Sequence, residues 1–382
     1  MDTFTTGIGG ALIGKAYLAE KHGRVALWAV TLGSVFPDSD VVFELVDAND
    51  IATLEIHRGV THSFVGLPLF AVGLAALTRW AARRWRWQAP SFLGLTGIYA
   101  LGLAFHILTD LVTSFGTMIW SPLARTRAAW DLVFIIDFTL TAIVLLPQVA
   151  AWVFRRRENQ WRRAIVMWLA FSLAALGVQW LAHTLRVGYS PWFTVTAYGL
   201  LALLFFLPTT RDWGVRLGRA RWCRAGLLAM VGYGLLCAAA HRMALRRVEA
   251  FAAEHRLAVE HLGALPAPPA LTRWSGLIRT PTGVYVARLN LFDRTAPRFR
   301  FAADSSPNTY TDAARQLPAV KTYLWFARFP VVRYSERDGH RIVEFTDLRF
   351  SRGNPDDTRA GFTFRVALDS SGRVIEQGWV ED

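Results

Sequence analysis

Five stretches of this sequence are apolar over the length that a lipid bilayer demands. A membrane-crossing helix needs ~20 mostly apolar residues, and residues 63–80, 91–108, 132–154, 164–184 and 191–208 each come close to it. Residues 225–240 form a sixth, slightly shorter run, and 7–18 and 25–36 are two weaker runs that contain glycine. In hydrocarbon every backbone polar group must be satisfied within the protein, so continuous apolar runs of this kind become helices. The expected fold class is therefore mainly α, a polytopic transmembrane helical bundle of about 6–8 membrane helices. Composition agrees: 53% of residues are hydrophobic and only 19% are charged, against ~25% charged in soluble domains. Disorder, collagen and coiled coil are excluded.

The net charge of +13 would suit a nucleic-acid binder, but the arginines fall where membrane topology explains them. Loops 79–90, 155–163 and 209–224 carry four, five and five arginines, whereas 37–62, 109–131 and 185–190 carry one, two and one. By the positive-inside rule the first set is cytoplasmic. Trp80, Trp85, Trp152, Trp161, Trp192 and Trp222 stand near span ends, as an aromatic belt requires. The opening MDTFTTG lacks a signal peptide's basic region, so the first apolar segments are expected to be retained. Cys223 and Cys237 suggest neither a disulfide framework nor a cysteine-based zinc site.

Beyond residue 241 the composition changes. The expected division is 1–241, the transmembrane domain; 242–270, a helical extension ending in a Pro-rich linker (LPAPPA, 265–270); and 271–382, a small extracytoplasmic α+β domain. Strand-like segments run over 284–292, 298–302, 322–334, 341–348, 361–368 and 374–379, with a short helix at 311–317. Arg337-Asp338-Gly339 and Ser370-Ser371-Gly372 have hairpin-turn chemistry.

Three clusters can carry chemistry. Asp38 and Asp40 follow the second apolar run and can converge on one ion from an irregular loop. His57 and His62 bracket the entry to a strong span. His106 and Asp110, four apart at the end of another span, share one helical face. The alternating topology brings all three to one membrane face. Histidines and carboxylates together suit zinc, manganese or iron, and two ions can clamp both oxygens of a displacement. Arg58 can pair with a substrate phosphate or carboxylate. Asp137 reads either as a carboxylate orienting a ligating imidazole or as a buried partner of an Arg or Thr. No Gly-x-Ser-x-Gly elbow is present.

The order Asp-x-Asp, HRGVTHS (57–63), HILTD (106–110), Thr113-Ser114-Phe115-Gly116 and WDLVFIIDF (130–138) resembles the YdjM-like bacterial inner-membrane proteins, described as membrane-bound metal-dependent hydrolases. The resemblance covers residues 1–147; it departs at Thr6, where relatives often carry histidine. It implies an inner-membrane location, a divalent ion (Zn or Mn, one or two), and Asp38, Asp40, His57, His62, His106 and Asp110 as its ligands. Asp38, Arg58 and Asp137 are the candidate catalytic groups. The expected function is metal-dependent hydrolysis of an ester or phosphoester at the extracytoplasmic membrane face, with membrane lipids or a lipid-linked substrate as partner and no nucleic acid. The rival is a non-catalytic envelope or stress-related membrane protein with a structural metal; a transporter is a third reading.

Overall fold

The computed structural model describes residues 1–44, 51, 53–184, 191–268, 271–337, 339–351 and 362–380. The loop 185–190 and Asp338 of the expected hairpin turn lie outside them. Among the described residues, eight longer helices and three short ones build the first two thirds of the chain; the longer ones are α1 (Thr3–Ile13), α2 (Ala19–Val35), α3 (Leu67–Arg84), α4 (Phe92–Leu111), α5 (Phe138–Val153), α6 (Gln160–Thr184), α7 (Pro191–Phe206) and α8 (Arg219–Glu254).

Among the described residues, four helices are long and apolar enough to cross a membrane, α4, α6, Thr194–Leu217 and α8, or five if Thr53–His62 and α3, bent by 68°, form one broken span. α6 shows what surrounds them: only 6% of its apolar window is buried inside the protein, and Leu169, Leu173 and Trp180 point outward. So long an apolar surface is stable only against lipid. The expected run 132–154 shortens at its start. Asp131 adopts φ 56° and Asp137 caps the first turn of α5, accepting from the N–H of Thr139 and Leu140, so the helix starts at Phe138.

α2 and α4 cross where both carry glycine. A Cβ on Gly102 would sit 2.9 Å from the Ser34 nitrogen, and one on Gly33 3.0 Å from the Tyr99 carbonyl oxygen. The two backbones are thus almost in contact, as small residues allow in membrane helix packing. Gly102, His106 and Asp110 are spaced by four and share one face of α4.

α8 has 36 residues, ~54 Å at 1.5 Å per residue, which exceeds a bilayer core of ~30 Å. Its last turns leave the apolar zone and pack a stripe of Ala240, Ala244, Val248 and Ala252 on Trp274, Ile278 and Leu289. These belong to the first of two four-stranded antiparallel sheets, β1 (His261–Ala267), β2 (Arg273–Thr280), β3 (Gly283–Asn290) and β4 (Arg300–Ala303), in that order. Two helices follow, α9 (Thr309–Gln316) with an Asn308 capping box, and α10 (Pro318–Phe326). The second sheet is β5 (Pro330–Arg337), β6 (His340–Asp347), β7 (Thr363–Leu368) and β8 (Val374–Trp379).

Two local expectations are corrected. The Pro-rich stretch begins as a strand rather than a linker: Leu265 and Pro266 pair with Ser275 and Trp274. Proline is tolerated because β1 is an edge strand. The strand expected over 322–334 is a helix as far as Phe326, since Pro318 at its first position starts α10.

The sheet region docks on the end of the bundle. Ile51 and Leu54 enter the same core as Val320, Tyr323 and Phe326. Arg328 makes a two-pronged ion pair with Asp131, at 2.9 and 2.8 Å. Arg349 donates to the carbonyl oxygens of Ser114 and Phe115.

A candidate metal centre

The α2–α4 crossing sets the first imidazole. With the backbones this close, His106 Nδ1 reaches the Ser34 carbonyl oxygen at 2.7 Å. A carbonyl only accepts, so Nδ1 carries the proton and Nε2 offers its lone pair. His62, at the end of a short 3₁₀ turn (Val60–His62), is held the same way round. Its Nδ1 lies 3.4 Å from Asp40 Oδ2 and 3.0 Å from Thr61 Oγ1. The two Nε2 atoms then face each other at 3.1 Å. Asp38 Oδ1 completes a triangle, 3.4 Å from His62 Nε2 and 3.3 Å from His106 Nε2.

Three electron-rich atoms at this spacing repel unless a cation joins them. Ligands ~2.0–2.1 Å from a tetrahedral ion are about 3.3 Å apart. Among the described residues Asp38, His62 and His106 form a group able to hold a metal ion. Each imidazole has its second nitrogen fixed by an acceptor, the arrangement that orients ligating histidines. The donor set and its spacing fit a divalent ion.

Asp110 lies against the same face, its Oδ2 3.3 Å from His62 Nε2 and 3.6 Å from His106 Nε2. Arg58 Nε approaches that oxygen at 3.2 Å, and the Met1 amine pairs with the other. Asp38 is steadied by the Thr3 hydroxyl, which donates to Oδ2 at 2.5 Å. The Asp40 carboxyl is held low: burial is outweighed by the hydrogen bond of His57 and by the Arg58 N–H that donates to it.

The structure divides the expected ligand set. Asp38, His62, His106 and Asp110 meet. Asp40 and His57 stand behind His62, with His57 Nδ1 3.6 Å from Asp40 Oδ2. Asp38 and Asp40 do not share the three-atom face because 36–40 is a 3₁₀ helix rather than an irregular loop, and at three residues per turn, positions two apart point ~120° apart. Arg58, 3% exposed, is turned inward. Its φ is 57°, its N–H donates to Asp40 at 2.9 Å and its NH1 to Thr113 at 3.1 Å. Asp137 is apart from the cluster. It caps α5 and accepts the Tyr233 hydroxyl at 2.7 Å, rather than orienting an imidazole. Thr6, where the resemblance led to the expectation of a histidine, is buried and donates to the Asp2 carbonyl.

Sequence reasoning missed the Ser34 carbonyl, Thr3 and the covering residues. Phe115 lies under the Arg58 guanidinium, edge-on to His57 at 5.2 Å between centroids and 5.1 Å from Phe326. Arg127 donates to the carbonyls of Leu54, His57 and Gly116 and lies over the rings of Phe115 and Phe326. Gly102, one turn before His106, was the one signal in the sequence for the crossing that positions Ser34.

These features define a membrane protein with a buried His/Asp centre at the end of its helical bundle. Residues 1–186 match the family described as YdjM inner membrane protein, so this part of the chain, which holds the whole cluster, is YdjM-like. No curated protein and no solved structure gives a match.

Proposed function

We propose that this protein is a metal-dependent hydrolase of the bacterial inner membrane, cleaving an ester or phosphoester of a lipid or lipid-linked substrate. The observation that carries the reading is the pair of imidazoles presenting Nε2 to Asp38 while Ser34 and Asp40 fix their Nδ1 atoms. Asp38, His62 and His106 would hold the ion, with Asp110 against both rings. When bound, a zinc or manganese ion supplies Lewis acidity toward the ester or phosphoryl oxygen. Arg58 fixes Asp110, and Phe115 and Phe326 keep bulk water from one side. The way in is the edge where Asp38 and His57 retain 13% and 21% side-chain exposure.

The loop arginines support a site facing the extracytoplasmic side, with the sheet region on that side. Counting the bent pair, α5 and the paired α1 and α2 as further membrane-embedded elements gives the 6–8 of the sequence reading. A structural metal centre without catalysis is the second reading. It is favoured by Arg58, whose guanidinium is used on Asp110 and Thr113 instead of being offered to a substrate.

Elemental mass spectrometry of detergent-purified protein tests the centre. Near-stoichiometric metal, lost in His62→Ala/His106→Ala, is the expected result. Protein that stays metal-free after reconstitution would sink both readings. Hydrolysis of chromogenic phosphoesters and esters in the metal-loaded protein then separates them. Activity lost in Asp38→Asn with an unchanged melting temperature favours catalysis, and a lowered melting temperature with no activity in wild type favours a structural metal.

A further inference from the structure

A half-buried lysine stands at the end of the bundle away from the histidine centre. α1 begins at Thr3, which bonds Asp38 in the centre, and Lys15 follows twelve residues later, ~18 Å along a helix. There the helix widens: Gly14–Leu18 is a π-helical turn, a form that occurs mostly as single turns and often at functional sites. α2 returns hard against it, since a Cβ on Gly14 would lie 2.5 Å from Leu27 Cδ1. Lys15 Nζ donates to Gln148 Oε1 on α5 at 2.7 Å. Gln148 is buried, and its amide nitrogen donates to the carbonyls of Ile8 and Val144, at 2.9 and 2.8 Å. Its side-chain oxygen is therefore fixed toward the ammonium.

That oxygen brings no charge. An ammonium has three donors, and Gln148 takes one. Among the described residues no carboxylate pairs with Lys15; its charged neighbours have its own sign. Arg219, at the start of α8, sets a like charge beside it. Arg224, five residues on, donates from Nε to the Ala16 carbonyl at 3.2 Å and lies over the Tyr17 ring at 5.1 Å. The Ala16 bond uses one of its five donors. Glu20, Lys21, His22 and Arg24, in the turn that follows, are exposed and mark the edge of the apolar zone. Lys15 starts ~7 Å inside that edge, a distance a lysine stem spans. An ionisable group at such a depth calls for a partner.

We propose that Lys15, with Arg219 and Arg224, binds the phosphate of an anionic phospholipid in the leaflet opposite the histidine centre. The free ammonium donors and the guanidinium forks suit phosphate oxygens. Tyr17, 53% exposed, is the kind of ring that sits at headgroup level, beside the lipid's upper chain. None of these residues belongs to the histidine cluster, so this site and the hydrolase reading can fail separately.

The test places the full chain in nanodiscs of phosphatidylcholine with a minor share of phosphatidylglycerol. Lipid that stays bound on transfer to detergent is counted by native mass spectrometry, with melting temperature as the folding control. Wild type is expected to retain phosphatidylglycerol in preference to phosphatidylcholine. Lys15→Met is expected to lower that preference about fivefold, the usual gain per basic residue at an anionic membrane surface, and Lys15→Arg to keep it. Arg219→Met/Arg224→Met, at exposed positions that leave the Gln148 bond alone, is expected to weaken it too, and decides the question should Lys15→Met melt early. Arg83→Met, exposed at the end of α3, is expected to change nothing; an equal loss there means diffuse attraction and overturns the site. Retention equal to wild type in Lys15→Met and in the double variant overturns the proposal and leaves Lys15 a structural partner of Gln148. Inorganic phosphate bound in detergent through Lys15, with no preference for phosphatidylglycerol, overturns the lipid source.

Discussion

At the scale of single residues, the centre depends on a glycine that carries no chemistry. A methyl group on Gly102 would meet the backbone of Ser34 and Gly33 at 2.9–3.0 Å, and neither can move without moving α2. Gly102→Ala is expected to cost about 1–3 kcal/mol as overpacking and to pull His106 Nδ1 from its acceptor. Loss of an orienting partner typically lowers metal affinity about 10–100-fold; a zinc titration against a competing chelator reads it. A second residue gives a pH dependence. The Ser371 hydroxyl, with the N–H groups of Arg373 and Ser371, holds the Asp369 carboxyl at about 2, below the ~3.9 of an unfolded chain. A lowered value means stabilisation present above pH ~3.9 and lost as pH falls through about 2. Asp369→Asn is therefore expected to lower the melting temperature at pH 6, with the gap to wild type closing toward pH 2.

At the scale of elements, helices were more legible than the way they meet. His106 and Asp110 could be placed on one face because the helical period alone decides it. His62 could be set at the mouth of a span from its neighbours. The roles of Asp38 and Asp40 could not be separated, since the turn type that splays them depends on how α2 ends against α4. Arg58 looked available because nothing local in HRGVTHS reveals that Asp110, fifty-two positions later, takes its guanidinium. Asp137 looked embedded because an apolar run hides where a helix begins. β1 was missed because proline argues against a strand unless its place at an edge is known. The docking of the sheet region was equally invisible, and it rests on buried charge. Arg349 is 9% exposed, bonded to Asp347 at 2.7 Å and to the Phe326 carbonyl at 2.8 Å. Arg349→Ala leaves the buried Asp347 carboxylate without its counter-charge, held only by the N–H groups of Arg328, Phe329 and residue 349, and is expected to destabilise the protein by about 3 kcal/mol. Chemical unfolding in detergent, with faster proteolysis between the bundle and the sheets, measures it.

At the scale of the whole molecule, apolar helices, the histidine centre and the two sheets form one stack. The sequence's charge asymmetry predicts that the centre and the sheets face away from the cytoplasm. A periplasm-active reporter fused after residue 382 is expected to be active, and one inserted in loop 155–163 inactive; the reverse pattern would invert the topology. The way the centre is covered has a further consequence. Its donors come from residues 38–110, inside the YdjM-like part, while Phe326 and Arg349, which close over Phe115, come from more than two hundred residues later. The centre's ligands and part of its cover are thus written in different stretches of the chain. Exchanging the later stretch would leave the same ligands under a different cover, so the centre and what shields it are free to change separately.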